Sequence, residues 1–402
     1  MTFKVKTKGQ IEGEKLLVPK LRFKEFNNEW EKIKLKDIST DISYGMNSAA
    51  TEYDGINKYI RITDIDEETS LYSNNPVSPS GNLDDRFLVR DNDILFARTG
   101  ASTGKAYLYN RVDGKLYFAG FLIRANIKRD YNSRFIFEQT KLNKYNNWIK
   151  IMSIRSGQPG INSIEYGNYE FSITNINEQN KISKLLTVLN KKIELQQRKI
   201  EALKIYKKGL INKLLNSNES LNCKNIKLNN ILIPGSKERV VDTSKFQKIN
   251  IKLNLNGLSK NNSSREMADT RPFYIRNLNE IIIGKQNYFN GSIAIVTKEF
   301  DGCICSNAIM SFSVKNDNPK YIYYYISQPN YIRKRSFLAN GTGQKELSEK
   351  EFLNFEINLP SIEKQNYIVT ILDFVESKIS IENLKYELLE LFKKSLLQQM
   401  FI

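Results

Sequence analysis

Residues 168–182 read NYEFSITNINEQNKI, and residues 354–368 read NFEINLPSIEKQNYI. It is nearly one phrase written twice, 186 residues apart, each time just before a run of Leu, Ile and Lys. At that offset Gly157-Gln158 meets Gly343-Gln344, Ile176 meets Ile362, and Gln179-Asn180 meets Gln365-Asn366. The register continues through Leu186 and Leu372, Lys192-Ile193 and Lys378-Ile379, and Leu203 and Leu389. It also runs backward to Phe135-Ile136 and Tyr321-Ile322. Farther upstream it drifts: IKLKDI at Ile33 pairs with IKLNNI at Ile226, and YIR at Tyr59 with YIR at Tyr274. A common register this long marks two copies of one unit, alike at their ends and divergent in their middles.

The like ends read as long helices. Ile182, Leu186, Leu189, Ile193, Ile200, Leu203, Leu210 and Leu214 follow heptad steps, and Ile368, Leu372, Val375, Ile379, Tyr386, Leu389, Leu396 and Met400 repeat them. Gln196 and Glu382 hold the same polar interruption. Such a seam is that of a coiled coil. Residues 182–215 carry nine cations and two anions and residues 368–401 four and five, so the two surfaces attract. Helix one ends beside the second unit, and that unit feeds the start of helix two. The pairing is therefore antiparallel, and the expected molecule is a dumbbell with an approximate twofold axis across its bar.

The middles read as mixed α/β. DILFA (Asp93–Ala97), AYLY at Ala106, FLIRANI at Phe121, IIIG at Ile281, SIAIV at Ser292 and IMSFSV at Ile309 are short apolar runs between Gly, Asn and Asp turns. They have the form of strands. RFIFEQT at Arg134 and KYIYYYI at Lys320 open short helices. The expected class is α+β: two mixed α/β modules, each followed by a long helix, with pseudo-twofold symmetry. The expected boundaries are a basic N-terminal segment over 1–29, a first module over 30–165, a helical spacer over 166–216, a second module over 217–350 and a second spacer over 351–402.

The 402 residues hold 61 Lys and Arg against 44 Asp and Glu, a net charge of +17. Clustered cations suit a partner with many phosphates. The start, MTFKVKTKGQIEGEK, lacks the apolar core of a signal peptide, and no apolar run spans a bilayer, so the expected location is the cytoplasm, away from membranes. Cys223, Cys303 and Cys305 are too few for a disulfide framework.

Catalytic motifs are missing. With no histidine there is no Ser-His triad, imidazole base or usual zinc site. Cys303-x-Cys305 has no second pair to complete a metal site. GASTGK (Gly100–Lys105) is one residue short of a phosphate-binding loop and puts Ala106 where a magnesium ligand belongs. Asp113-Gly114-Lys115 has no legible partner carboxylate and reads as a surface turn.

Binding remains. FARTGASTGKAY (Phe96–Tyr107) offers Arg98, Thr99, Ser102, Thr103 and Lys105, and its rough counterpart GKQNYFNGS (Gly284–Ser292) offers Lys285, Gln286, Asn287 and Asn290. Two further loops, IRSGQPGIN and NGTGQKELS, add Arg155, Gln158, Gln344 and Lys345. Arg and Lys suit guanine edges and phosphates, and Asn and Gln suit adenine. Residue types alone do not separate such contacts from a solvated loop. Arg61 and Arg276, in the shared YIR, read as structural because they recur while their surroundings change.

PKLRFKEFNNEWEKIKLKDI (Pro19–Ile38), NDILFARTGASTGK, the doubled INEQNKI and IEKQNYI and the two heptad helices together resemble the specificity subunit of type I restriction–modification systems. The resemblance spans essentially the whole chain. It implies two target recognition domains, each reading one half of a split site in double-stranded DNA. It implies a coiled coil on which two methyltransferase subunits dock, the doubled phrase marking their equivalent docking points, and restriction (motor-endonuclease) subunits that join that core. Methylation and cleavage, with S-adenosylmethionine, ATP and Mg²⁺, then belong to partners, and this chain has no catalytic residue, metal or cofactor of its own. The competing classes are a standalone DNA-binding regulator and a fused methyltransferase-nuclease.

Overall fold

The computed structural model describes residues 3–5, 17–73, 75–154, 159–216, 223–261, 271–336 and 346–402. The chain forms two compact units, one of residues 1–197 with 385–402, the other of residues 198–384. Both contain a four-stranded antiparallel sheet of one topology. In the first unit the order is Ser39–Tyr44, Leu122–Ile127, Asp93–Ala97, Ala106–Leu108. In the second it is Leu232–Pro234, Ile309–Val314, Ile281–Gly284, Ile293–Ile295.

Each central strand is a continuous apolar run because both of its faces are covered. Ile94 and Phe96 face a core built with the helices, whereas Leu95 and Ala97 face a small distal core with Ile60 and Phe118. The second unit divides Ile281 and Ile283 from Ile282 in the same way. Strands buried on both sides lose the polar alternation of a half-exposed strand. The middles diverge in the distal layer. Lys58–Ile60 pairs with Leu116–Phe118 in parallel, but Phe273–Ile275 pairs with Ile304–Ser306 antiparallel.

A two-strand clasp closes each module: Glu31–Lys34 against Glu170–Ile173, and Lys224–Lys227 against Glu356–Leu359. The long helices follow, Ile176–Asn216 and Ile362–Met400. At 41 and 39 residues they begin inside the doubled phrase, a turn or more before the apolar seam starts. The first spans about 62 Å at 1.5 Å per residue. The seam points inward: Ile182, Leu186, Leu189 and Ile193 are buried in the first unit with Leu396 and Met400, as are Ile368 and Leu372 in the second. In the second unit Lys199 meets Glu382 at 2.9 Å and Lys207 meets Glu376. One series climbs as the other descends, so the paired stretches are antiparallel.

The doubled phrase has a structural reason, and its glutamines are turned inward. The Gln179 side-chain oxygen accepts the Asn132 N–H at 2.9 Å and its amide donates to the Thr174 carbonyl at 2.6 Å. Gln365 does the same for the Asn318 N–H at 2.9 Å and the Pro360 carbonyl at 3.0 Å. Asn180 and Asn366 accept from the same two asparagines at 2.7 and 2.8 Å. Asn132 and Asn318 in turn cap the short helices Ser133–Gln139 and Pro319–Ile326. The phrase thus ties the first turn of each long helix to the cap of a short one. Both glutamines are buried. Replacing Gln179 by alanine strands a backbone N–H and a carbonyl, and we expect a loss of about 1–3 kcal/mol in denaturant unfolding. Gln365→Ala should cost the second unit a similar amount.

Residues 17–29, part of the stretch read as a basic N-terminal segment, belong with Trp30 to the first core. Phe23 and Trp30 are buried, and Trp30 packs on Phe135 and Phe401. Arg22 donates through Nε and Nη2 to both carboxylate oxygens of Glu178 at 2.7 Å, each side chain almost wholly buried. Thr174 donates its hydroxyl to the same carboxylate. Residues 217–222, at the start of the expected second module, lie outside the described residues. Among the described residues, no helix is long and apolar enough to cross a membrane.

Candidate nucleic-acid interface

Each sheet carries a groove at the same end, built by the same four segments. In the first unit these are Tyr44–Ser48 after the first strand, Tyr59–Thr63, Arg98 after the central strand, and Ala119–Phe121; the groove encloses about 610 Å³. In the second, Gly235–Lys237, Tyr274 with Arg276, Lys285 and Asn307 enclose about 620 Å³ together with Glu346–Lys350.

The backbone sets the equivalence. Arg98 donates its N–H to Phe121 at 3.1 Å and accepts from Ile161 at 2.9 Å. Lys285 donates to Ala308 at 3.0 Å and accepts from Leu347 at 3.0 Å. Arg98 and Lys285 therefore occupy one position in two frames. The floor is drawn tight at Gly45, where a Cβ would come within 2.2 Å of the Ala119 carbonyl oxygen. Tyr59, buried beneath, donates its hydroxyl to the carbonyls of Met46 at 2.8 Å and Ser48 at 3.1 Å, holding the rim.

Of the residues singled out in the two Gly-rich loops, only the first in each loop lines its groove. Thr99 bridges to Gly160 through its backbone, and Thr103 spends its hydroxyl on the Gly100 carbonyl at 2.7 Å. Gly100–Ser102 is a single 3-10 turn, and the strand Ala106–Leu108 follows it where a phosphate-binding loop would start a helix. Lys105 lies 3.7 Å from Glu67. The loop as a whole is pinned from below by Tyr145, whose hydroxyl donates to the Gly104 carbonyl at 2.9 Å, and by Tyr166, which donates to Ala97 at 2.7 Å. In the second loop Gln286, Asn287 and Asn290 are exposed, and Asn290 donates its side-chain amide to Asn287 at 3.2 Å. Arg155, Gln158, Gln344 and Lys345 lie outside the described residues.

The electrostatics of the two grooves differ. Arg61 forks onto Asp64 with both bonds at 2.8 Å, and that carboxylate holds its guanidinium above the ordinary range. Arg276 is buried, donating to Cys305 Sγ at 3.0 Å and to the Ser236 carbonyl at 3.3 Å. Both arginines of the shared YIR thus brace the floor. Lys285 is paired with Glu346 at 3.6 Å and Lys237 with Glu349 at 3.1 Å. Arg98 instead lies over the Tyr44 ring at 4.7 Å. Burial pushes the Tyr44 phenol up, but the Ser163 N–H given to its oxygen at 3.1 Å and the charge of Arg98 outweigh it, and the net shift is downward.

Tyr44 and Phe121 escaped the reading of sequence. Each stands next to a glycine, Gly45 and Gly120, and that adjacency is the one local signal they carry. Among the described residues no cluster of Cys, Asp and Glu could hold a metal ion. Donor-rich side chains with an aromatic wall can recognise base edges or phosphates.

A family model for the type I restriction modification DNA specificity domain matches residues 27–205 and again residues 236–391. The chain belongs to that family. It is 22% identical over 342 residues to the type I restriction enzyme MjaVIII specificity subunit of Methanocaldococcus jannaschii, covering 77% of this chain and 78% of that one. The crystal structure of the type I restriction–modification S subunit from M. genitalium superposes with a TM-score of 0.57 at 17% identity, covering 96% of this chain and 99% of that chain. A chain from a study of complex assembly and conformational transition of the type I R-M system superposes with a TM-score of 0.54 at 11% identity, covering 92% and 97%. The first matched segment contains the whole groove-bearing sheet, the second all of its sheet but the strand Leu232–Pro234, and both run on into a long helix.

Proposed function

We propose that the chain is the non-catalytic DNA-reading subunit of a type I restriction–modification complex, directing adenine methylation or ATP-dependent cleavage by its partners. Each groove reads one half of a bipartite, asymmetric target in double-stranded DNA. One observation carries this reading: the same groove is built twice, from the same four segments, with different linings. Two copies of a frame with unlike walls suit two unlike words. The net charge of +17 supplies sequence-independent affinity for the phosphates between and around them.

The partners are two methyltransferase subunits and the restriction subunits, which would carry S-adenosylmethionine, ATP and Mg²⁺. The second helix offers a face for docking. Tyr367, Phe374, Ile381 and Leu388 recur at seven-residue spacing, and each is more than half exposed. The first helix is sparser, with Val188 and Leu195 exposed at the corresponding positions.

The test is the methylated motif of cells expressing the chain with its methyltransferase, read by single-molecule sequencing. The expected motif is two unlike half-sites of a few base pairs, separated by an unread spacer, with a modified adenine in each. A continuous or palindromic motif would contradict the reading.

A further inference from the structure

We propose that Arg98 reads a guanine in the first half of the target and that Tyr44 is its positioning residue; this rests on the DNA-reading function proposed above. Guanine presents two acceptors, O6 and N7, in one plane in the major groove, and a guanidinium fork matches them. Such a match needs a fork that is free of carboxylates and fixed in orientation. Both conditions meet at Arg98.

Among the described residues, the other candidate cations are committed. Arg61 is forked onto Asp64, Lys105 faces Glu67, Lys285 faces Glu346, and Arg276 is buried against Cys305. Arg98 has no carboxylate partner among the described residues, and its one side-chain hydrogen bond is a long one, Nη1 to the Gly120 carbonyl at 3.4 Å. The remaining N–H groups are left to donate. Orientation comes from below. The backbone of Arg98 is held on both sides, and its guanidinium lies over a Tyr44 ring whose own oxygen is tied to the Ser163 N–H. A stacked guanidinium has its plane set before the ligand arrives, so little side-chain freedom is lost on contact.

The surroundings favour a base edge over a phosphate. Phe121, 63% exposed, and the Tyr44 ring flank the fork with apolar surface, which suits the flat edge of a base pair. The second groove lacks this device. There the position of Arg98 is Lys285, that of Phe121 is Ala308, and that of Tyr44 is Ser236. A neutralised point charge without an aromatic platform does not select guanine in this way. The assignment is therefore confined to one half-site.

The experiment compares methylated motifs of the whole complex carrying wild-type chain, Arg98→Ala, Arg98→Lys, Tyr44→Ala or Tyr44→Phe. Arg98→Ala should relax one guanine of one half-site, with discrimination falling roughly 10- to 100-fold, and leave the other half unchanged. Arg98→Lys should keep DNA binding but lose part of that discrimination. Tyr44→Ala should relax the same position more weakly, while Tyr44→Phe, which keeps the ring, should retain the wild-type motif. An unchanged motif with methylation lowered evenly at all sites would overturn the assignment in favour of a phosphate contact. An unchanged motif at full occupancy would mean that the side chain faces solvent. Should Arg98→Ala not fold, the two Tyr44 variants decide alone, and an intact motif in Tyr44→Ala would count against the proposal. A wild-type motif that is not bipartite would defeat the function itself, which separates the two failures.

Discussion

Glu178→Ala should lower the unfolding free energy of the first unit by about 3–5 kcal/mol, because it leaves the buried Arg22 guanidinium without a counter-charge. For a unit of this size the shift in melting temperature is roughly 6–20 °C. The loss comes from desolvation. A buried charge without a partner has exchanged water for an apolar wall, and Thr174 offers it only a hydroxyl in place of the carboxylate. The second unit has Lys364, exposed, at the matching position, so Lys364→Ala should change stability little. Replacing the pair together, Arg22→Met with Glu178→Leu, should recover most of the loss, since neither half then strands the other. Circular dichroism melts of the three variants and the wild type check this. Equal melting of Glu178→Ala and wild type would show that the pair contributes nothing.

Phe374→Asp with Ile381→Asp should abolish co-purification of the methyltransferase subunit and leave the fold intact. Both side chains are exposed on the face opposite the buried seam of Leu372, Val375 and Ile379. Exposure makes the change cheap for folding, as surface substitutions usually fall within about 0.5 kcal/mol. A contact residue at the centre of a protein interface can cost about 2 kcal/mol or more when lost. Two together give roughly a thousandfold weaker binding, at 1.4 kcal/mol per factor of ten. The measurement is a pull-down with tagged methyltransferase, alongside a melt of the variant. Undiminished co-purification would place the docking face elsewhere.

Much of the architecture was legible because it is periodic or repeated. The heptad seam, the doubled phrase and the apolar runs of the central strands each carry their structural meaning within a dozen or so residues. Ile182, Leu186, Ile368 and Leu372 are buried because a seam at that spacing can face only one way. The reading failed where structure depends on distant partners. Nothing local distinguishes the parallel pairing of Lys58–Ile60 from the antiparallel pairing of Phe273–Ile275, although both follow from the same Tyr-Ile-Arg. Arg22 and Phe23 sit in a basic, polar stretch, and their burial is decided by Glu178, 156 residues away. The candidate groove is the extreme case. It draws on residues 44–48, 59–63, 98 and 119–121, so no spacing rule gathers it. The Gly-rich loop gives this groove one residue, Arg98, and the loop's spacing does not say which one. Its remaining polar side chains serve the turn or face away, and Arg98 alone reaches the groove wall.

The clasp that closes each module has an evolutionary reach. Glu31 stands opposite Ile173 and Lys34 opposite Glu170, and in the second module Lys224 stands opposite Leu359. The chain enters and leaves each module through neighbouring strands. Everything between those two strands is a closed excursion whose ends are already side by side. A recombination event with its breakpoints in the clasps would import a foreign excursion whole, without asking the helix behind it to change length or face. The phrase that locks helix to cap stays in the host at Gln179 and Gln365, and the donor need supply only a matching asparagine. Such a chain can exchange one module at a time and keep the helix that carries it.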